Sequence, residues 1–345
     1  MPYERIQLLM KLSEIQINPL LDTLVMLDIP DEEYFSDTYK DYISNSRLSY
    51  INPEQGGSYN LYLENPKKES SSLLLGSAVH CLTLQPDDFL LVDTVDRPTA
   101  KAGLMADFLY KPNSSIPTKE EIIAASDKVN YYKGKMDDKK IDELLSKCTN
   151  YWRNRALFEH DYKDSKELIY LDPKNREILK SCLNSISGCK EIQSLLHPEY
   201  VMSKPISLNE QAILIDFELK FPDGYSTIVK FKSKLDNFTI EPDDNLVTLN
   251  DLKTTGHILS EFEGSFEKYH YYRQMGVYSY LLSLVVKKYY NVEDFTMKAN
   301  MLLTSTVPEY SAGVYPVSKK QLLRGFEEFK KLLRMVALLN KHVAG

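Results

Sequence analysis

Hydrophobic positions recur at two different periods along this chain, and the change of period near residue 206 divides it. From residue 3 to 27 the apolar residues Ile6, Leu9, Leu12, Ile15, Ile17, Leu20 and Leu24 fall at helical spacing. They predict one or two helices, broken near Pro19. Residues 28–41 are acidic and aromatic, with Pro30, and predict loop or short helix. Ser44-Asn45-Ser46 precede Arg47-Leu48-Ser49-Tyr50 as a capped helix start. Leu73–Leu84 predicts an apolar helix interrupted at Gly76 and stopped by Pro86. Residues 92–120 carry Pro98, Gly103, Pro112 and Pro117 and predict an irregular segment, a lid or a connection. Helices over Lys119–Lys133, Ile141–Phe158 and Lys174–Leu196 follow, the last ended by His197-Pro198.

Beyond residue 206 the period becomes two. Ile213–Phe221 alternates, Pro222-Asp223-Gly224 is a turn signal, and Thr227–Leu235 alternates again, which predicts an antiparallel hairpin. A third strand ends at Lys253. A long helix (Phe266–Lys288), strands over Lys298–Ser305 and Gly313–Val317, and a helix from Ser318 complete the pattern. Strands gathered centrally with helices before and after predict an α/β fold, a mixed sheet flanked by helices. No linker separates the two halves. The expectation is therefore one domain over residues 1–345, largely helical to about residue 200, with the sheet and later helices in about 201–345.

Composition narrows the class. With 43% hydrophobic and 26% charged residues, the chain has the balance of an ordinary globular protein. No run approaches the roughly 20 apolar residues of a membrane span, and the N-terminus lacks a secretory layout. Cys81, Cys148, Cys182 and Cys189 form no CxxC pair, which argues against a zinc site or a disulfide framework. A reducing cytoplasm and no membrane partner are expected. The net charge of −7 argues against a protein that coats nucleic acid, but not against a nuclease that concentrates its cations on one surface.

The candidate chemistry lies in the strands. In Leu246–Lys253 side chains alternate faces, so Asp251 and Lys253 share one face while Leu252 points into a core. Asp236 ends the preceding alternating run, and adjacent strands can bring both acids to one ion. Oxygen ligands suit Mg²⁺, with Mn²⁺ as a substitute, and Mg²⁺ is commonly held by one or two carboxylates plus a substrate phosphate. Lys253 would then sit beside the attacking water and the scissile phosphate. A solvated strand end is the plainer reading of Asp-x-Lys alone. His80, one turn after Gly76, is either a core histidine or a ligand to which the glycine gives access. Lys230, Lys232 and Lys234 alternate with Asp236 on one face, either as a track for a phosphate backbone or as a solvated face. Glu210 opens the first strand of the hairpin and could join the acids through a water. His270, Gln274 and Tyr278 fall at i, i+4 and i+8 and predict one polar stripe facing the site.

The ordered set Gly76-x-x-x-His80, Asp236, Asp251-Leu252-Lys253-Thr254-Thr255 and Gln274-x-x-x-Tyr278 resembles the PD-(D/E)XK nuclease superfamily, nearest its RecE-type (exonuclease VIII) branch of phage and prophage recombination exonucleases. Ile43–Leu48 and Gly76–Phe89 are similar to that branch as well, so the resemblance spans roughly residues 40–285. It implies a restriction-endonuclease-like core, with His80, Asp236, Asp251 and the Leu252 carbonyl as metal ligands and Lys253 as the catalytic lysine. Gln274, Tyr278 and Thr254 would support the site or touch DNA; Ser46 and Arg47 would lie near a terminal phosphate; Glu210 would add a further acid, and Lys232 and Lys234 DNA contacts. It also implies double-stranded DNA as substrate, a homo-oligomer, and a RecT-like single-strand annealing protein as partner. Leu235 stands where the superfamily is named for proline, and no cysteine follows Cys189, against the iron–sulfur relatives. The expected activity is metal-dependent exonucleolytic hydrolysis of linear duplex DNA. An endonuclease or repair nuclease of the same fold, and a non-catalytic nucleic-acid-binding phage protein, are the alternatives.

Overall fold

The structure, a computed structural model, describes residues 12–344 apart from 67–69, 113–115, 133, 135, 162–165 and 200–202. The elements run β1 (Gln16–Leu27), α1 (Asp31–Tyr34), α2 (Asn45–Ser49), α3 (Tyr59–Glu64), α4 (Ser71–Leu84) and β2 (Phe89–Leu91). Next come α5 (Ala100–Leu109), α6 (Lys119–Lys128), α7 (Asp138–Asp161), β3 (Glu167–Ile169), α8 (Pro173–Gly188) and α9 (Lys190–Leu196). The remainder is β4 (Ile206–Lys220), β5 (Ser226–Glu241), β6 (Leu246–Thr255), α10 (Phe262–Lys268), α11 (Tyr271–Tyr290), β7 (Thr296–Ser305), β8 (Ala312–Pro316) and α12 (Lys319–Ala344).

A six-stranded sheet in the order β1-β4-β5-β6-β7-β8 is flanked by helices, so the expected α/β class with a mixed sheet holds. Within this sheet β6 and β7 pair in parallel, and α10 and α11 make the crossover that a parallel pair requires; β2 and β3 form a separate parallel pair. The other neighbours are antiparallel. One face buries Phe231, Phe238, Leu249 and Met301 against α11 and against Phe329, Leu332 and Leu333 of α12. Each such side chain contributes roughly 1.5–3 kcal/mol by leaving water. The other face buries Leu252 and Leu302 against Leu75 and Val79 of α4 and Leu179 and Ile192 of α8 and α9. A third cluster, from Val92 to Tyr170, joins α5, α6 and α7 around Trp152. The helices α11 and α12 cross where backbones nearly touch: a Cβ on Gly276 would stand 2.5 Å from the Leu322 carbonyl oxygen. That crossing fixes α11 two residues beyond Gln274.

Four expectations are corrected. Residues 16–27 form an edge strand rather than helix, and the part of that helix expected before residue 12 lies outside the described residues. A register shift between Leu20 and Val25 breaks the alternation, so the apolar residues fall at a spacing that imitates a helix. Pro19 is tolerated because β1 lies at the sheet edge. Gly76 does not interrupt α4, which runs unbroken. Residues 100–109 of the supposedly irregular segment form α5. The long helix after the site is two helices, α10 and α11, parted at Tyr269-His270.

Candidate active site

The ladder between β5 and β6 ends at the pair Asn237–Asn250, and beyond it the strands part. Asp236 and Asp251 are the next residues on the two strands, and Glu210 lies between Asn209 and Gln211, which pair with Asn237 and Leu235. Three acids from three adjacent strands therefore form a row at the point where the sheet opens.

The helix α4 closes the gap from the other side. Ser70 caps it by accepting the Leu73 N–H at 3.2 Å, and Leu75, Ala78 and Val79 bury it against the sheet. A Cβ on Gly76 would stand 3.2 Å from Thr254 Oγ1, so the glycine lets α4 approach β6 closely. One turn on, His80 lies between the parted strands, with Nε2 3.5 Å from Asp236 Oδ2 and Nδ1 3.9 Å from Glu210 Oε1. Its Nε2–H donates to the Leu252 carbonyl, while the Leu252 amide donates to Asp236 Oδ2 at 2.7 Å. Ligand atoms of His80, Glu210 and Asp236 all lie within 4.8 Å of one another.

Asp251 and Lys253 stand beside this group. Asp251 is fully buried, with Oδ1 accepting from Gln274 Nε2 at 2.8 Å and Oδ2 paired to Lys253 Nζ at 2.6 Å. Burial raises its carboxyl to about 6, against the opposing pull of Lys253. Lys253 is held well above the usual ammonium range: burial pulls it down, and the pull of Asp251 and Asp236 outweighs that. Tyr271 lies with its ring 5.9 Å from Lys253 Nζ. His80, Glu210, Lys253, Thr254, Tyr271 and Asp31 line one open cleft of about 400 Å³.

The other predicted residues divide. Gln274 reaches Asp251, and Tyr278, 8% exposed, is buried near Asp251, Asp236 and Gln274, where it can support the site but presents little surface to a ligand. His270 does not share that stripe: it precedes α11 with φ 53°, and its Nδ1 lies 2.8 Å from Glu328 on α12. Lys232 is a correction to the phosphate track, because it is 8% exposed and donates to the Tyr34 carbonyl at 2.7 Å. Lys234 is held between Asp31 at 2.5 Å and Glu210 at 3.4 Å, and Lys230 stands 5.6 Å from the Tyr42 ring centre. Ser46 is exposed on α2, and the Arg47 guanidinium stacks 4.9 Å over the Tyr62 ring. Glu210 lies within β4 rather than opening it. Asp31 and Tyr271 were not foreseen, and no spacing in the sequence points to either.

Glu210 also adopts a left-handed backbone, φ 53°, inside a strand. A residue with a Cβ bears roughly 1–3 kcal/mol of strain there, and such strain gathers at functional sites. Glu210→Gly should therefore keep or raise the melting temperature while weakening Mn²⁺ binding. Calorimetry checks both, and a loss of stability with unchanged affinity contradicts the reading.

His80 supplies a pH signature. Burial pulls its imidazole down, but Asp236 and Glu210 outweigh burial and raise it from 6.5 to about 9. In the metal-free protein this group contributes stability that is fully present below pH 6.5 and is lost as pH rises through about 9. A divalent ion needs the neutral ring, so binding at pH 7.5 should release about one proton and tighten towards pH 9. Titration calorimetry in buffers of different ionisation enthalpy measures that release, and binding without it rules His80 out as a ligand.

No protein-family model matches the chain. No curated protein matches it either. Among solved structures it is similar to a candidate exonuclease from Eubacterium rectale, with 12% identity over 91% of this chain and 86% of that one, and a TM-score of 0.45. No helix among the described residues is long and apolar enough to cross a membrane.

Proposed function

We propose that this chain is a metal-dependent deoxyribonuclease of the PD-(D/E)XK type that hydrolyses linear double-stranded DNA from an end. One observation carries the reading: His80, Glu210, Asp236 and the Leu252 carbonyl converge from four elements beside a buried Asp251–Lys253 pair, in an open cleft. The donor set fits Mg²⁺ or Mn²⁺. An octahedral ion with ligands at about 2.1 Å sets neighbouring ligand atoms roughly 3 Å apart and opposite ones roughly 4 Å apart. The His80 Nε2–Asp236 Oδ2 separation of 3.5 Å is of that size, and Glu210 brings an oxygen into the same group of ligand atoms. One imidazole with carboxylates and a carbonyl is a hard, mostly oxygen set, unlike a zinc cage of thiolates. When bound, the ion would polarise the phosphate and lower the pKa of a water.

The chain's own residues supply the rest. Lys253 brings a fixed positive charge to where negative charge develops on the phosphorus oxygens. Asp251 holds that ammonium in place, and Gln274 orients Asp251 through its other oxygen. His80 and Asp236, joined through the Leu252 peptide, keep α4, β5 and β6 at a fixed separation around the scissile phosphate. Attack from an end, ring-like oligomers and hand-over of the exposed strand to an annealing protein are the finer parts of the proposal, and rest on the motif set alone.

End-labelled linear duplex and closed circular duplex, each incubated with Mg²⁺, test it. Mononucleotides released from the linear duplex with the circle intact are expected. Cuts in the circle would replace the exonuclease by an endonuclease of the same site, and no cleavage of either would overturn the nuclease reading.

A further inference from the structure

Directly behind the acidic row lies a second row that the proposed chemistry does not use. Asn209, Asn237, Asn250 and Asn300 stand on β4, β5, β6 and β7, opposed in register. Asn300 Nδ2 donates to Asn250 Oδ1 at 3.0 Å, Asn250 Nδ2 to Asn237 Oδ1 at 2.8 Å, and Asn237 Nδ2 to Asn209 Oδ1 at 2.7 Å. The chain ends at α4, where Asn209 Nδ2 donates to the Leu84 carbonyl at 2.7 Å. A carbonyl can only accept, so that last bond sets the direction of every amide behind it. The Asn300–Asn250 and Asn250–Asn237 bonds are buried, and Asn237, Asn250 and Asn300 are 1%, 0% and 8% exposed.

Three of the four rungs are covalently next to a residue of the acidic row. Asn209 precedes Glu210, Asn237 follows Asp236, and Asn250 precedes Asp251. Leu84 lies one helical turn beyond His80 on α4. The ladder thus ties together all four elements that deliver the candidate ligands, and it does so at Asn237–Asn250, the last backbone pair before β5 and β6 separate. A slip of one residue between strands would turn a rung to the opposite face and leave buried amides unpaired, at about 1–3 kcal/mol each. It would also carry the neighbouring acid out of the row.

We infer that the asparagine ladder is a positioning device: it sets the spacing of His80, Glu210, Asp236 and Asp251, and with it the affinity of the site for a divalent ion. The inference rests on the proposed metal-binding role of that site. Its test is Mn²⁺ titration calorimetry on Asn250→Leu, of similar shape, and on Thr248→Val, a control two residues away on β6 that is 2% exposed and outside the ladder. Residues that orient ligands from behind are worth roughly 10–100-fold in metal affinity. Asn250→Leu should lose that much, while Thr248→Val stays within about threefold of the unaltered protein even if both melt earlier. Equal affinities in Asn250→Leu and the unaltered protein, or equal losses in both variants, would overturn the inference and leave the ladder a stabilising element only. If Asn250→Leu does not fold, Asn300→Ser, which removes only the outermost rung, carries the same comparison with a several-fold loss expected. No Mn²⁺ binding by the unaltered protein would overturn the metal site itself, an outcome distinct from a ladder that proves neutral.

Discussion

Asp236→Asn should fold and yet lose Mg²⁺-dependent turnover of duplex DNA by about a thousandfold or more. The substitution is chosen for what it keeps. The amide oxygen of asparagine can still accept the Leu252 N–H that Asp236 Oδ2 now accepts at 2.7 Å, so the junction of β5 and β6 retains its bond. What is lost is the charge. Asp236 is the carboxylate nearest His80 Nε2, at 3.5 Å, and belongs to the group of ligand atoms within 4.8 Å. An ionic contribution of about 4 kcal/mol to the transition state corresponds to about three powers of ten in rate. Asp236→Ala would confuse the outcome, because an unpartnered Leu252 amide costs about 1–3 kcal/mol of stability on its own. Single-turnover kinetics with melting curves measure both effects. A folded Asp236→Asn protein that cleaves within tenfold of the unaltered one would remove Asp236 from the chemistry.

Lys253→Met should lose about a hundredfold to a thousandfold in turnover while keeping Mn²⁺ affinity within a few-fold at pH 8.5. Its ammonium is no metal ligand, so affinity should survive. Turnover should not, since one well-placed donor at a developing oxyanion contributes about that much. The pH matters because Asp251, fully buried, depends on Lys253 as its counter-charge. Burial already raises this carboxyl to about 6, and without the lysine it rises further. The variant's carboxyl would therefore keep its proton to higher pH, and at pH 8.5 hold less of one than at pH 7. Lys253→Arg should not rescue, because a planar fork does not replace a compact ammonium in the space between Asp251 and Tyr271. A Lys253→Met protein with ordinary turnover would reduce the Asp251–Lys253 pair to a structural ion pair.

Much of the site was legible because strand geometry is simple. Alternation alone placed Asp251 and Lys253 together and Leu252 in the core. It could not show that β5 and β6 part just where Asp236 and Asp251 meet, because that depends on pairing partners. Nor could it show that Lys232 is covered by Tyr34, since the covering segment lies about two hundred residues earlier in the chain. The His270 break was hidden for a different reason. No glycine or proline marks it, and the left-handed turn is held by Glu328, a tertiary contact. The edge strand β1 imitates a helix in sequence because its register shift erases the period of two. The asparagine ladder did leave a signal: Asn250 and Asn300 interrupt apolar strands, and a buried amide in such a run needs a partner.

Anomalous diffraction from crystals soaked in Mn²⁺ tests the central claim most directly. The account predicts an ion bounded by His80 Nε2, Asp236 and the Leu252 carbonyl, absent in Asp236→Asn crystals. An ion bound instead among Glu54, His270 and Glu328, the other acid–histidine group among the described residues, or no ion at His80 at saturating Mn²⁺, would contradict it.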